Sequence, residues 1–245
     1  MTYLLLFLAA LWAGIQNALA GGGSFITLPA LMLTGMDARA ANITSTVALF
    51  PAQVATGWTG RKLVSGAAGV SFTGLVTISL IGGALGAGLL LLTPPSFFAR
   101  LVPWLVLFAT LIFASGSFGP RRPATHRGNR PFAAVSQFCI AVYGGYFGGG
   151  IGFLMLAALT ASGLLLRAAG ATKNVLAAVM NASAVAIFVF SPEVKWLAAL
   201  TAASGATLGG IAGGLMLQKV NENALRPLVV AIGVALTIGL FLRAP

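Results

Sequence analysis

The sequence predicts an all-α integral membrane protein with about eight transmembrane helices, two short half-membrane helices and two tandem structural repeats. The first observation is composition: 58% of the 245 residues are hydrophobic and only 7% are charged. A soluble domain carries about 25% charged residues, so this chain cannot cover a globular surface with polar groups. This excludes a soluble enzyme, a nucleic-acid-binding protein and a disordered tail. The net charge of +11 favours a membrane protein, because the charges lie between long apolar runs.

The second observation is the spacing of these apolar runs. A helix crosses the hydrocarbon core with roughly 20 apolar residues, at about 1.5 Å per residue. The predicted spans are 2–20, 38–60, 66–92, 97–117, 132–148, 165–190, 196–217 and 227–243. Pro94 and Pro95 separate the third span from the fourth, since proline ends a helix. The short apolar segments 24–34 and 151–162 are each only half a membrane thick. The first span ends in an Ala-x-Ala sequence that resembles a cleavage site, but no charged segment precedes it, so we expect it to be retained.

The third observation is an internal duplication. Arg39 to Val47 aligns with Arg167 to Val175 at an offset of 128, and the Arg, Ala, Ala, Thr and Val positions coincide. The glycine triplet at 21–23 aligns with the triplet at 148–150 with one residue of slip. We therefore expect a first transmembrane repeat at 1–117, a basic linker at 118–130 and a second repeat at 131–245. Internal repeats are a common build for secondary transporters, with the substrate site at their interface.

The linker carries four arginines, which predict that it is cytoplasmic. These are Arg121, Arg122, Arg127 and Arg130. Anionic lipid is the partner expected for this loop. Arg61 and Lys62 lie two spans earlier and so face the same side. The expected location is the inner (cell) membrane of a prokaryote, as a multi-pass protein.

The relative orientation of the repeats stays open. If 24–34 merely extends the first helix, the repeats are parallel, with 8 Lys or Arg inside and 5 outside, Lys173 set aside. If 24–34 crosses as a separate element, the repeats are inverted, with 9 inside and 4 outside. The difference is too small to decide, and a homo-oligomer is also left open.

The glycine triplets are the first candidate site. Each glycine costs about 1 kcal/mol in a helix relative to alanine, and an unwound backbone within a membrane must be buried in protein or line a cavity. A short helix then starts with its N–H groups facing inward, which suits an anion. The candidate residues are Gly22, Gly23, Ser24, Gly149 and Gly150. The alternative is that the glycines only allow close helix packing.

A polar stripe on the next helix of each half is the second candidate site. Asn42, Thr46, Leu49 and Gln53 share one helix face by their spacing, and polar side chains within a span must face protein or water. The candidate substrate-binding residues are Asn42, Thr44, Ser45, Thr46, Gln53, Thr172, Lys173, Asn174 and Asn181. Hydrogen bonds between helices, at about 0.6 kcal/mol per pair, are the alternative explanation.

Lys173 is the most specific of these candidates. Asp37, Glu193 and Glu222 are the only carboxylate residues in the sequence, and all three lie near predicted span ends. An anionic substrate would supply the missing counter-charge, unless the side chain extends to the membrane interface.

Arg39 and Arg167 occupy equivalent positions at helix starts. A cation there opposes the helix dipole. Gating or anion attraction would explain the two arginines, and so would anchoring at the interface.

No enzyme signature is present. Cys139 and His126 are the only residues of their kinds, and there are no paired carboxylates, P-loop or metal-binding sequences. We therefore expect no catalytic residue, no metal and no cofactor.

The first-half sequence resembles the signature of the TauE/SafE sulfite exporter family, also called the toluene-sulfonate uptake permease family. The matching residues run from Gly21 to Leu31, followed by Gly35 and 41–46. The second-half signature resembles 144–152 and 167–174. The resemblance implies an inner-membrane carrier of sulfite, organosulfonates or thiosulfate, usually an exporter.

The two halves depart from one another within these signatures. Pro29 of the first half corresponds to Leu156 in the second, so the halves need not bind equivalently. Neither signature contains cysteine, which disfavours thiolate-based transport of thiosulfate.

The leading hypothesis is therefore a secondary exporter of small sulfur-containing anions. It works by alternating access around a site between the repeats. A passive anion channel, a carrier of another small organic anion and a non-transporting membrane scaffold are the alternatives.

Overall fold

The computed structural model describes residues 1–19, 22–118, 129–216 and 222–243. Within these ranges the chain is helical apart from short turns, and a single turn of 3-10 helix, Arg61–Leu63, follows the third helix. The helices are α1 (Thr2–Leu19), α2 (Ser24–Met32), α3 (Ala38–Gly60), α4 (Phe72–Leu92), α5 (Pro95–Phe118), α6 (Arg130–Tyr146), α7 (Ile151–Ala161), α8 (Leu166–Phe188), α9 (Trp196–Met216) and α10 (Glu222–Arg243).

Each predicted span coincides with a long helix, and each predicted half-membrane segment with a short one. The main difference is at 66–92, where the helix begins only at residue 72. Ala67 and Val70 instead close a tight turn by exchanging backbone hydrogen bonds. Ser71 then caps α4 by accepting a hydrogen bond from the Gly74 nitrogen at 3.1 Å.

Four described segments are long and apolar enough to cross a membrane, judged by length and composition. They are Phe72–Leu92, Pro95–Ile112, Arg167–Phe188 and Trp196–Gly213. These segments identify a membrane protein. The count of eight spans stays a prediction, because the remaining long helices are more polar or have shorter apolar stretches.

Glycine contacts show which helices run in the same direction. Along α1 and α9, Gly205 lies against Phe7, Gly209 against Leu11 and Gly213 against Ile15. Residue numbers rise together, so these two helices are parallel. The same pattern makes α4 and α6 parallel, with Gly82 and Gly86 lying against Phe138 and Val142 in turn.

Other contacts show helices that run in opposite directions. Gln53 meets Asn181, whereas Gly60 meets Ala171, so α3 and α8 are antiparallel. Likewise α5 and α10 are antiparallel, because Thr110 meets Gly233 and Trp104 stacks edge-on against Phe241.

Two loop contacts complete the arrangement. Thr44 on α3 meets Lys195 just before α9, and Ala52 further along α3 meets Gly210. Helices α1, α3 and α9 therefore share one direction. Thr172 on α8 meets Ser65 before α4, and Met180 meets Gly83. Helices α4, α6 and α8 share the other direction. Four pairs of helices five places apart therefore run oppositely: α1 and α6, α3 and α8, α4 and α9, and α5 and α10.

Candidate functional site

A polar cavity lies where α3 and α8 cross, with the segments before α2 and α7 on its sides. It has a volume of about 40 Å³. Eight of the candidate residues line it: Gly22, Ser24, Ser45, Thr46, Gln53, Lys173, Asn174 and Asn181. The structure thus brings both glycine segments, through Gly22 and Gly148, and both polar stripes to a single place.

Three candidate side chains lie outside the cavity and hold helices together. Asn42 donates a hydrogen bond to the Tyr146 carbonyl at 3.1 Å. Thr44 Oγ1 accepts one from the Lys195 nitrogen at 3.3 Å, and Thr172 Oγ1 accepts one from the Ser65 nitrogen at 3.0 Å. These residues fit the alternative explanation, which was hydrogen bonding between helices.

Three candidate glycines also lie outside the cavity lining. The Gly23 nitrogen donates to Asn17 Oδ1 at 3.4 Å, and the Gly149 carbonyl accepts from the Tyr143 hydroxyl at 2.9 Å. Gly150 has φ of 74° and immediately precedes α7. That left-handed backbone favours glycine, so Gly150 shapes the turn that directs the start of α7 toward the cavity.

The cavity also includes residues outside the predicted site. They are Asn17, Leu49, Thr56, Phe147, Gly148, Ile151, Gly152 and Ala177. Thr56 lies three residues after Gln53, so extending the polar stripe by one turn would have found it. Asn17 had no such signal, because no polar residue occupies the matching position, Gly145 or Gly144, in the second half.

An amide pair joins the two stripes at the centre of the crossing. Asn181 Nδ2 donates to Gln53 Oε1 at 2.5 Å. The two residues are 128 positions apart, which is the offset of the predicted duplication. Asn181 is 2% exposed, and its Oδ1 has no hydrogen-bond partner among the described residues.

Lys173 lines the cavity without a protein counter-charge in the described part of the chain. Asp37 is occupied as the cap of α3, accepting from the backbone nitrogens of Arg39 and Ala40. Glu193 forms an ion pair with Arg39. No Asp or Glu is among the residues that line the cavity, so its electrostatic character is cationic.

The starts of two helices add to this character. Ser24 opens α2, and Ile151 and Gly152 open α7, and all three residues line the cavity. First-turn N–H groups have no partner within their own helix and carry the positive end of its dipole. The site can therefore offer backbone donors, amide donors and one ammonium group to a ligand.

The two predicted gating arginines have different environments. The Arg39 guanidinium pairs with the Glu193 carboxylate and also donates to the Leu91 and Thr93 carbonyls. It thereby ties the start of α3 to the end of α4 and to the loop before α9. Arg167 is exposed. Gly21 and the linker residues Arg121, Arg122, His126 and Arg127 lie outside the described residues.

Comparisons with known proteins agree with this architecture. The family model for sulfite exporter TauE/SafE matches residues 6–240. A Haemophilus influenzae protein named "Probable membrane transporter protein" is 29% identical over 239 residues, covering 95% of this chain and 92% of its own. The Escherichia coli K12 protein "Probable membrane transporter protein YfcA" is 28% identical over 240 residues, covering 95% and 87%.

A third relative is "Probable membrane transporter protein ORF9" of Sinorhizobium sp, 29% identical over 252 residues and covering 96% of this chain and 90% of its own. No solved structure matches the chain. The family and these relatives are named as transporters rather than enzymes. Because the family model spans nearly the whole sequence, the chain belongs to the sulfite exporter TauE/SafE family of membrane proteins.

Proposed function

We propose that this protein is a secondary carrier that exports small sulfur-containing anions, with sulfite as the first candidate and organosulfonates as the second. The observation that carries the proposal is the cavity between α3 and α8. It combines Lys173, several amide groups and two helix starts, and no carboxylate lines it. Such a set stabilises negative charge.

Cavity size favours an inorganic anion. At about 40 Å³, the cavity is far smaller than the roughly 300–1,000 Å³ of pockets that hold drug-sized ligands. A cavity of this volume suits a small oxyanion better than a bulky sulfonate.

The helix directions support alternating access between inverted repeats. Opposed runs of five helices, with the cavity at their crossing, match the build of transporters in which one half moves against the other around a fixed site. The inverted arrangement gives 9 Lys or Arg on the side of the linker and 4 on the other side, Lys173 set aside. The proposed orientation therefore has a cytoplasmic linker, in the inner membrane of a prokaryote, and an N-terminus outside.

Counterflow in proteoliposomes tests the proposal. The protein is reconstituted with internal unlabelled anion, and uptake of labelled sulfite is measured against sulfoacetate, thiosulfate, sulfate and a carboxylate. We expect saturable exchange of sulfite that Lys173→Ala reduces by about tenfold or more, because a charged hydrogen bond contributes about 1.5–3 kcal/mol. Lys62→Ala is the matched control, since Lys62 is an exposed lysine in the turn after α3.

The alternatives give different results in the same assay. A passive channel would give flux without stimulation by internal anion. A scaffold would give no exchange from folded protein, and Lys173→Ala would leave its cellular role intact. Either result would contradict the carrier.

A further inference from the structure

We propose that the cavity selects the protonated, singly charged form of its oxyanion, and that the Gln53–Asn181 amide pair makes this selection. The inference rests on the proposed function and refines it. Its ligand class is a monoanionic oxyacid that still carries one acidic hydrogen, such as hydrogensulfite, one of whose tautomers has the proton on oxygen.

The Gln53–Asn181 amide pair leaves one buried acceptor without a partner among the described residues. Asn181 Nδ2 donates to Gln53 Oε1, which leaves Asn181 Oδ1 buried and without a partner among the described residues. A fully deprotonated oxyanion has only acceptors, so it cannot satisfy this oxygen.

Nearby hydroxyl groups are also arranged as acceptors. Thr46 donates its hydroxyl hydrogen to the Asn42 carbonyl at 3.0 Å, and Thr56 donates to the Gln53 carbonyl at 3.0 Å. Both threonines line the cavity, with their oxygen lone pairs still available. The wall of α3 therefore offers acceptors near the cation and favours a ligand with both a negative charge and a hydrogen to donate.

The charge of the cavity lining also favours a monoanion. Lys173 is the titratable side chain that lines the cavity among the described residues, and α2, α3 and α7 contribute hydroxyl, amide, backbone and apolar groups there. On the neighbouring elements, the Tyr143 hydroxyl is directed to the Gly149 carbonyl, while Arg167 and Lys195 are exposed. A single cation with no carboxylate beside it balances a ligand with one negative charge better than a ligand with two.

These groups predict strong discrimination by a hydrogen bond. A site built to bond a substrate hydroxyl rejects an analogue without it, because its own buried polar group is then left unpaired. Chlorate is a suitable analogue, since it is pyramidal and singly charged like hydrogensulfite and has no proton.

The experiment is competition in the sulfite counterflow assay, with unlabelled sulfite and chlorate compared at pH values below and above the second ionisation of sulfurous acid. At the lower pH we expect chlorate to compete at least about tenfold more weakly than sulfite. As pH rises, the monoanion is converted to the dianion, so the apparent potency of total sulfite falls relative to chlorate. Any titration of Lys173 acts on both anions and cancels in this ratio.

Two variants assign the effect to the amide pair. Asn181→Leu keeps the branched shape and the number of side-chain heavy atoms and removes the acceptor, so the potency ratio of sulfite to chlorate should move toward one at both pH values. Gln137→Leu is the matched control. Gln137 is also a buried amide with an unpartnered oxygen, but its nitrogen donates to Ser79 and it lies outside the cavity lining. The Gln137→Leu variant should therefore keep the wild-type ratio of sulfite to chlorate potency.

The outcomes separate this inference from the proposed function. Equal competition by chlorate and sulfite in the wild type, or a ratio that does not change with pH, contradicts the inference while the carrier stands. Absence of sulfite exchange from folded wild-type protein contradicts the proposed function itself. The wild-type arm is decisive even if Asn181→Leu does not fold.

Discussion

At the scale of single residues, positions that the predicted duplication aligns have different environments. Ser45 and Lys173 are 128 positions apart, and both line the cavity. Ser45 shares a hydrogen bond of 2.6 Å with Thr27, whereas Lys173 has no partner in the described part of the chain. The one charged side chain among the residues that line the cavity therefore comes from the second half of the chain, although both halves supply its polar wall.

The threonines outside the cavity give a prediction at this scale. Thr44→Val and Thr172→Val each remove the acceptor for one loop nitrogen, so we expect each variant to lower the free energy of unfolding by about 1 kcal/mol. Neither residue lines the cavity, so the affinity for sulfite should not change. Thermal unfolding in detergent and the half-saturation of counterflow measure the two quantities.

Thr46→Val is the contrasting variant, because Thr46 lines the cavity. It should weaken sulfite binding. If Thr44→Val or Thr172→Val weakened sulfite binding as much as Thr46→Val, these threonines would belong to the binding site, which would contradict their assignment to contacts between helices and loops.

At the scale of helices, close packing of α1 against α9 and of α4 against α6 joins the two halves. A Cβ atom at Gly209 would collide with the Leu11 carbonyl, and one at Gly86 would collide with the Val142 carbonyl. Both collisions involve backbone, which a rotamer change cannot relieve. Small residues thus allow the helix contacts that hold the opposed halves together.

Gly209→Ala should therefore lower the free energy of unfolding by about 1–3 kcal/mol, the usual cost of overpacking. Gly88→Ala is the matched control within α4, since nothing lies within 4 Å of the added Cβ. That change should be neutral or stabilising by up to about 1 kcal/mol. A Gly209→Ala variant as stable as Gly88→Ala would show that α1 and α9 do not pack as described.

At the scale of the whole molecule, sequence patterns predict the elements better than their arrangement. Pro94, Pro95 and the charged residues mark where apolar runs stop, so the helix positions follow from local chemistry. The relative direction of the two halves does not follow from the sequence. Parallel repeats would put 8 Lys or Arg inside and 5 outside, inverted repeats 9 and 4, and these counts are nearly equal. The cavity members Asn17 and Phe147 likewise depend on how the chain turns back before α2 and α7. Thr44, a candidate on the polar helix of the first half, accepts a hydrogen bond from the Lys195 nitrogen in a neighbouring loop, a contact that the sequence pattern does not reveal.

If the cavity between α3 and α8 binds the anion, sulfite should stabilise the folded protein by occupying it. At a sulfite concentration 100 times the dissociation constant, binding stabilises the folded state by about 2.7 kcal/mol. The unfolding midpoint of the wild type should therefore rise by several degrees, and Lys62→Gln should behave in the same way. Lys173→Gln should lose most of the rise while staying folded without ligand. An undiminished rise in Lys173→Gln would place the anion elsewhere and contradict the account.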